Sequence, residues 1–380
     1  MGILRFLPLL LLLTLPRSLR EYLSPAINRV PEENGGTSST AAPGGVVLHP
    51  IVLVPGLTCS DLEVRLTDAY RPTLPRCGAM KGKGWFGLWA NSSELPAHHY
   101  VPCFMEQMSL VYDPAAGDYR NLPGVETRVR NFGSSRGFHR NPEFPYGTGA
   151  WRSSCGSWRG SGTVTATPSS GRPTTSAMLR RVPGQSSEVY SRYFRQVRRL
   201  IEDASRRNQG RKAILFGQSF GGMVALEFVR STPMEWRDRY IKHLVLAAPL
   251  PTGGFTQAVQ NFASGADFLI ILGVDTLAMR PMWRTFESAI VNFPSPTLFG
   301  SRPLVITRER NYSAHDMEDF LAATGYSAAV EPFRRRSVPN MGYFQAPMVP
   351  TTCLNGVGSR DAGAARVLGR RLRCGAGDHR

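Results

Sequence analysis

The residues best placed to do chemistry in this chain are Gly217-Gln218-Ser219-Phe220-Gly221, within the stretch "ILFGQSFGGMV" from Ile214 to Val224. A G-x-S-x-G between an apolar run and a helix-forming run has the spacing of a sharp strand-to-helix turn that lifts a serine hydroxyl above a sheet. The chemistry would be acyl transfer with Ser219 as nucleophile. A serine hydroxyl is weak alone; it needs a histidine to take its proton and a carboxylate to hold that histidine. A glycine-rich turn around an ordinary serine is the competing reading. The helix here opens Gly221-Gly222, whose small size lets helix and strand approach closely, and this favours the elbow. The backbone N–H of Phe220 would be one oxyanion donor. The second should come from a loop after an earlier strand, where Pro55-Gly56-Leu57 offers the Leu57 N–H; an ordinary strand-ending turn at that place stays open.

Such a turn has to be held by a sheet. "VVLHPIVLVPG" (Val46 to Gly56) is a continuous apolar run ending in Pro-Gly, the pattern of a buried parallel strand. "SSEVYSRYFRQVRRLIEDASRRNQG" predicts an amphipathic helix with Val189, Phe194, Val197, Leu200 and Ile201 on one face and Gly210 past its end. A strand from Lys212 to Gly217, the elbow, a helix from Gly221 to Arg230 and the strand "IKHLVLAAP" follow. Residues 250 to about 345 carry mixed helix signals, as a cap would, and "VPTTCLNGVG" (Val349 to Gly358) predicts a late sheet strand and a loop. This order is that of an α/β-hydrolase fold with inserted segments.

With 380 residues, 42% of them hydrophobic, the chain can bury the core of one large α/β domain with an inserted cap, or of two domains. The formal net charge of +17 first suggests nucleic acid or an anionic membrane. Much of the excess arginine lies in two irregular segments, and no aromatic-plus-basic motif occurs, so nucleic-acid binding is not expected. "MGILRFLPLLLLLTLP" has a short apolar core broken by Pro8 and Pro16. It predicts a secretory signal or an uncleaved anchor over residues 1–23, with a flexible lead-in over 24–45. The chain is thus expected in the secretory pathway: ER lumen, vacuole or extracellular space. Cys77 and Cys103 bracket a loop carrying Trp85, Phe86 and Trp89, and either a disulfide or two free thiols fits the spacing. Asn91 and Asn311 head glycosylation sequons. No C-x-x-C pair, H-E-x-x-H or Walker loop occurs, so neither a metal nor another cofactor is expected.

Six stretches, "HPIVLVPGLTCSDLEVRL", "GWFGLW", "YDPAAGDYRNLPGVETRVRNFGSSRGF", the elbow, "YIKHLVLAAP" and "VPTTCLNGVG", together resemble the lecithin:cholesterol acyltransferase family, in its plant-type acyltransferase-like 1 form. They cover most of residues 46–145 and 183–358. The resemblance implies an O-acyltransferase or phospholipase of lipid metabolism. Its serine takes an acyl chain from a phospholipid and passes it to a sterol, another alcohol or water at a membrane or lipoprotein-like surface. It also implies that Leu57 is an oxyanion donor and that the loop from Cys77 to Cys103 is a disulfide-closed lid. Trp85, Phe86 and Trp89 on that lid would meet lipid. Where the family often has Trp after "LAAP", this chain has Leu250-Pro251.

The triad partners are the larger departure. In α/β-hydrolases the acid and base follow the serine on loops after late strands. The family carries them well beyond the strand matching Val349 to Gly358. The 22 residues that follow Gly358 here show no strand pattern. Asp378 and His379 are adjacent at a terminus with nothing after them to anchor a loop, and Asp361 is exposed by context. His98, His99, His139, His243 and His315 stand in the wrong chain order. No triad Asp or His is therefore found. Codons for "LGRRLRCGAGDHR", read in a shifted frame, can spell WDGDFDAAPETT. Those for Thr163 to Met178 can give RDGDTLFGAPYDFRY, close to the family's own sequence at both places. The expectation is a hydrolase domain over 46–358 and cap about 250–345. The segment 146–181 and the tail 359–380 would be aberrant and too polar to order themselves, leaving the domain incomplete at its C-terminus. The alternative to an active lipid acyltransferase is then a catalytically dead relative.

Overall fold

A computed structural model describes residues 48–56, 62–88, 101–129, 132–134, 164–165, 187–250, 253–265, 275–342, 345–355 and 365–366. The expectations for residues 1–23 and 24–45, and for Leu57, Trp89, Asn91, His98, His99, His139, Asp361, Asp378 and His379, lie outside the described residues.

The centre is a parallel sheet. Ile51–Val54 (β1), Ala213–Gln218 (β8) and Ile241–Ala247 (β9) are neighbours in the order β9-β8-β1, with Val54 opposite Gly217 and Gly217 opposite Leu246. The three apolar runs of the sequence thus form adjacent parallel strands. Thr351–Leu354 (β12) adds a parallel strand beyond β9. Its four residues are all exposed, and among the described residues no further strand pairs beyond it. At the opposite edge Val164–Thr165 (β7) pairs with β1. These two residues belong to the segment 146–181, whose remainder lies outside the described residues. Ala365–Arg366 (β13), from the tail, pairs with Val305–Ile306 (β10), which is antiparallel to Asn311–Tyr312 (β11).

The alternation within β8 shows how the sheet is covered. Ala213, Leu215 and Gly217 are buried, while Ile214, Phe216 and Gln218 on the opposite face are half-buried. Three helices pack on the strands: Glu188–Arg207 (α2), Phe220–Arg230 (α3) and Met234–Tyr240 (α4). Ser187 caps α2 by accepting from Tyr190 N, and Gly210 N–H bonds back to Ser205 O, closing the helix past its end. Val189, Phe194, Val197 and Ile201 are buried and Leu200 packs against the core, as the helical period requires.

Two antiparallel units lie outside the main sheet. Leu62–Leu66 (β2) pairs with Trp85–Gly87 (β3) on one side and Val125–Val129 (β6) on the other. Leu110–Asp113 (β4) and Asp118–Asn121 (β5) form a hairpin. Cys77 and Cys103 are joined by a disulfide with Cα atoms 5.0 Å apart, which decides between paired and free thiols. Cys103 lies in Val101–Met108 (α1), and Gln107 Nε2 donates to Cys77 O across the bridge at 3.2 Å.

The chain between β9 and β12 is mostly helical: Thr256–Ser264 (α5), Thr276–Trp283 (α6), Glu287–Val291 (α7) and Met317–Ala323 (α8). Phe262, Phe293, Phe320 and Phe333 knit it together, with ring centres 5.5 to 6.4 Å apart. A π-helical turn, Phe333–Ser337, turns Arg336 inward. Its Nε donates to Glu287 Oε1 at 2.5 Å, and both side chains are essentially inaccessible. Burial opposes the Arg336 charge, but the Glu287 carboxylate outweighs it and holds the guanidinium above its usual value.

Candidate active site

Ser219 sits at the turn between β8 and α3. Its φ of 51° and ψ of −126° lie where L-residues are rarely found. The turn is fastened on both sides. Ser219 N donates to Ala247 O of β9 at 2.9 Å, and Ser219 O accepts from Gly222 N and Leu250 N. The glycines of the motif are required by contact. A Cβ on Gly221 would lie 2.2 Å from Val54 O, and one on Gly217 would lie 2.6 Å from Gly221 O. Neither neighbour can move, because both are backbone. Phe220 is the first residue of α3, a position whose backbone N–H has no intrahelical acceptor. The Pro55-Gly56 turn after β1 runs alongside, since a Cβ on Gly56 would come within 3.1 Å of Ser219 Cβ. The chain leading into Leu57 therefore passes beside the serine, Leu57 itself lying outside the described residues.

Above the serine lies a cavity of about 310 Å³. Ser219, Phe220 and Leu250 form its floor. Phe255, Ala258, Asn261, Trp283, Ser288, Ala289 and Asn292, from α5 to the end of α7, form the rest. It is largely apolar and uncharged, with a few polar groups, as in pockets for neutral organic ligands. The motif predicted the floor. It gave no sign of the wall, which comes from residues 36 to 73 positions later. The one local signal was in "ESAIVN", where Ser288 and Asn292 recur at helical spacing within a run otherwise apolar after Glu287.

No Asp, Glu or His is among the cavity's described lining residues. None of the described histidines lines it. His49 Nδ1 lies 2.8 Å from Lys212 O, His243 Nε2 lies 2.8 Å from Thr352 Oγ1, and His315 is exposed in a 3₁₀ turn. No three His, Cys, Asp or Glu among the described residues form a group able to hold a metal.

The residues expected to meet lipid are placed differently from one another. Trp85, half-buried on β3, has the guanidinium carbons of Arg65 and Arg128 at 5.0 and 4.2 Å from its ring centre. These arginines are in turn paired to Glu126 and Glu63. Phe86 turns to the other face and packs on Val64, Leu66, Tyr70 and Val125. Asn311 is exposed on β11, while Ser313 of its sequon bonds Asp316.

Comparison with known proteins agrees with this arrangement. Residues 181–358, which contain the elbow, β9, the helical wall and β12, match the family described as Lecithin:cholesterol acyltransferase. Lecithin-cholesterol acyltransferase-like 1 of Oryza sativa subsp. japonica is 40% identical over 321 residues, covering 83% of this chain and 70% of that protein. Its namesake in Arabidopsis thaliana is 36% identical over 338 residues, covering 85% and 76%. Lysosomal phospholipase A and acyltransferase of Bos taurus is 28% identical over 283 residues, covering 73% and 65%. The serine turn, the parallel sheet that holds it and the chain-long identity to two plant proteins lead to one conclusion: this chain is a member of the lecithin:cholesterol acyltransferase family, of the plant lecithin-cholesterol acyltransferase-like 1 type, on an α/β-hydrolase fold.

Proposed function

We propose that Ser219 is the nucleophile of a lipid O-acyltransferase or phospholipase site. The observation that carries this is the left-handed backbone of Ser219, held at the floor of an apolar cavity by a turn that only Gly217 and Gly221 permit. In the reaction, Ser219 Oγ would form a bond to the ester carbonyl carbon of a phospholipid as its proton passes to a base. The lysophospholipid alkoxide would leave with a proton, and an acceptor hydroxyl or water would then take the acyl group by the same steps in reverse order. The N–H groups of Phe220 and Leu57 would bind the oxyanion. The loop closed by Cys77 and Cys103, with Trp85, Phe86 and Trp89, would act as a lid at a membrane or lipoprotein-like surface, under a cap spanning about 250–345. The disulfide suits a secretory compartment, consistent with the signal expected over residues 1–23 and with glycans on Asn91 and Asn311.

A second reading is favoured by the cavity's composition. Its described lining holds no imidazole or carboxylate, so the chain would bind lipid while turning over slowly, as a catalytically dead relative. Without base and acid, serine and oxyanion hole retain about 10³–10⁴-fold over water, far below a working enzyme. A fluorophosphonate probe tests the first reading and phospholipid turnover separates the two. Labelling that vanishes in Ser219→Ala supports an activated serine. No labelling at all would sink the nucleophile reading. Labelling together with turnover on the order of 1 s⁻¹ would sink the second.

A further inference from the structure

One side-chain oxygen on each of two residues in the wall of the Ser219 cavity has no hydrogen-bond partner. Ser288 Oγ and Asn292 Oδ1 are buried, their residues 2% and 4% exposed, and neither atom is bonded. Both residues line the cavity. They stand four positions apart on α7 and its C-terminal cap, so they share one helical face.

The orientation of the Asn292 amide is fixed. Its Nδ2 donates to Ser288 O at 2.9 Å, and its own backbone O accepts from Phe255 N at 3.0 Å. Turning the amide over would set Oδ1 against the Ser288 carbonyl, oxygen to oxygen. Asn292 thus presents an acceptor with no donor to meet it. Ser288 Oγ can donate or accept. Buried polar groups are normally satisfied, and those left unsatisfied in a native protein call for an explanation.

We infer that Ser288 and Asn292 form a hydroxyl-recognising subsite that selects a neutral lipid alcohol as the acyl acceptor. A hydroxyl matches the pair: its proton goes to Asn292 Oδ1 while its oxygen accepts from Ser288 Oγ. An ester, ether or phosphate oxygen has no proton to give Asn292. An ammonium group cannot accept from Ser288 and would meet no counter-charge among the described lining residues, none of which is charged. Phe255, Trp283 and Ala289 alongside would take the alcohol's hydrocarbon part. The donor phospholipid, with acceptor oxygens and a charged headgroup, fits this wall poorly. The inference rests on the reading of this cavity as the acyl-transfer site.

Binding tests it without requiring turnover. Decanol and decyl methyl ether, which differ in the proton that Asn292 would receive, are titrated calorimetrically into the full chain below their solubility limits. Decanol should bind about tenfold more tightly, the size of one hydrogen bond to a buried group. In Asn292→Leu the preference should vanish while ether binding stays the same, and in Ser288→Ala, whose hydroxyl serves the oxygen of either ligand, both should weaken about threefold with the preference kept. Equal binding of both ligands to the unaltered chain overturns the subsite, as does a preference that survives Asn292→Leu. If Asn292→Leu does not fold, Ser288→Ala alone decides, and unchanged binding of both ligands overturns the inference. Fluorophosphonate labelling is read on the same preparation. Labelling of Ser219 without alcohol preference refutes the subsite alone; alcohol preference without labelling supports the subsite and refutes the nucleophile alone.

Discussion

Replacing Glu287 by Gln should destabilise the protein by about 3–5 kcal/mol, the range for removing one partner of a buried ion pair. The magnitude follows from what remains. Glu287 is 0% and Arg336 1% exposed, so the guanidinium cannot turn to water. Its Nη1 still donates to Gly117 O at 2.9 Å, but the Asp118 carboxylate is 3.7 Å from Nη2 and partly solvated. A glutamine keeps the shape and a hydrogen bond at Glu287 and removes only the charge, so the loss reports the electrostatic part. Replacing both residues by apolar ones, Glu287→Leu with Arg336→Met, removes the buried charges together. That variant should lie closer to the unaltered protein than either single change. Urea unfolding followed by far-UV circular dichroism gives the values, compared at equal m. A Glu287→Gln variant within about 1 kcal/mol of the starting protein, the range of exposed pairs, would refute the reasoning. Because Glu287 begins the helix that carries Ser288 and Asn292, decanol binding should weaken along with stability.

Ser219→Gly should be more stable than Ser219→Ala by about 1 kcal/mol, because only glycine adopts a φ of 51° with this ψ without strain; a thermal melt of the two variants measures it. The Asp316 carboxyl is held below its usual range by the Ser313 hydroxyl and backbone N–H, with Arg310 adding to it. A depressed native value means that its stabilisation is complete above the ordinary carboxylate range, roughly pH 4, and is lost as pH falls through that native value. Asp316→Asn should therefore shrink the drop in urea midpoint between about pH 6 and pH 2, and an unchanged drop would show that the cap contributes nothing. Cys77→Ser with Cys103→Ser should cost roughly 3–4 kcal/mol, the chain-entropy value for a bridge 26 residues apart; reductant should lower the melting temperature of the disulfide form and leave the double variant's unchanged.

What the sequence determined is what local constraint can encode. The Ser219 turn was legible because Gly217 and Gly221 meet backbone atoms in strands and turns that the adjacent apolar runs already implied. The strands β1, β8 and β9 were legible as continuous apolar runs, and α2 as a 3.6-residue period with a serine cap and a closing glycine. The antiparallel unit of β2, β3 and β6 was not, since 58 residues separate the end of "LEVRL" from the start of "VETRV", and the register that sets Val64 opposite Thr127 exists only once the strands pair. That pairing is also what puts two arginines beside Trp85, where sequence suggested a lipid-facing ring. The spacing of Cys77 and Cys103 left paired and free thiols open, the family resemblance implied a bridge, and the tertiary structure shows it; that Arg336 reaches Glu287 across 49 positions was decided by tertiary structure alone. It alone set Ser288 and Asn292 above Ser219. Side chains that meet only after the chain has doubled back leave no period or spacing in the sequence, because their contact is set by the packing of whole helices against the sheet.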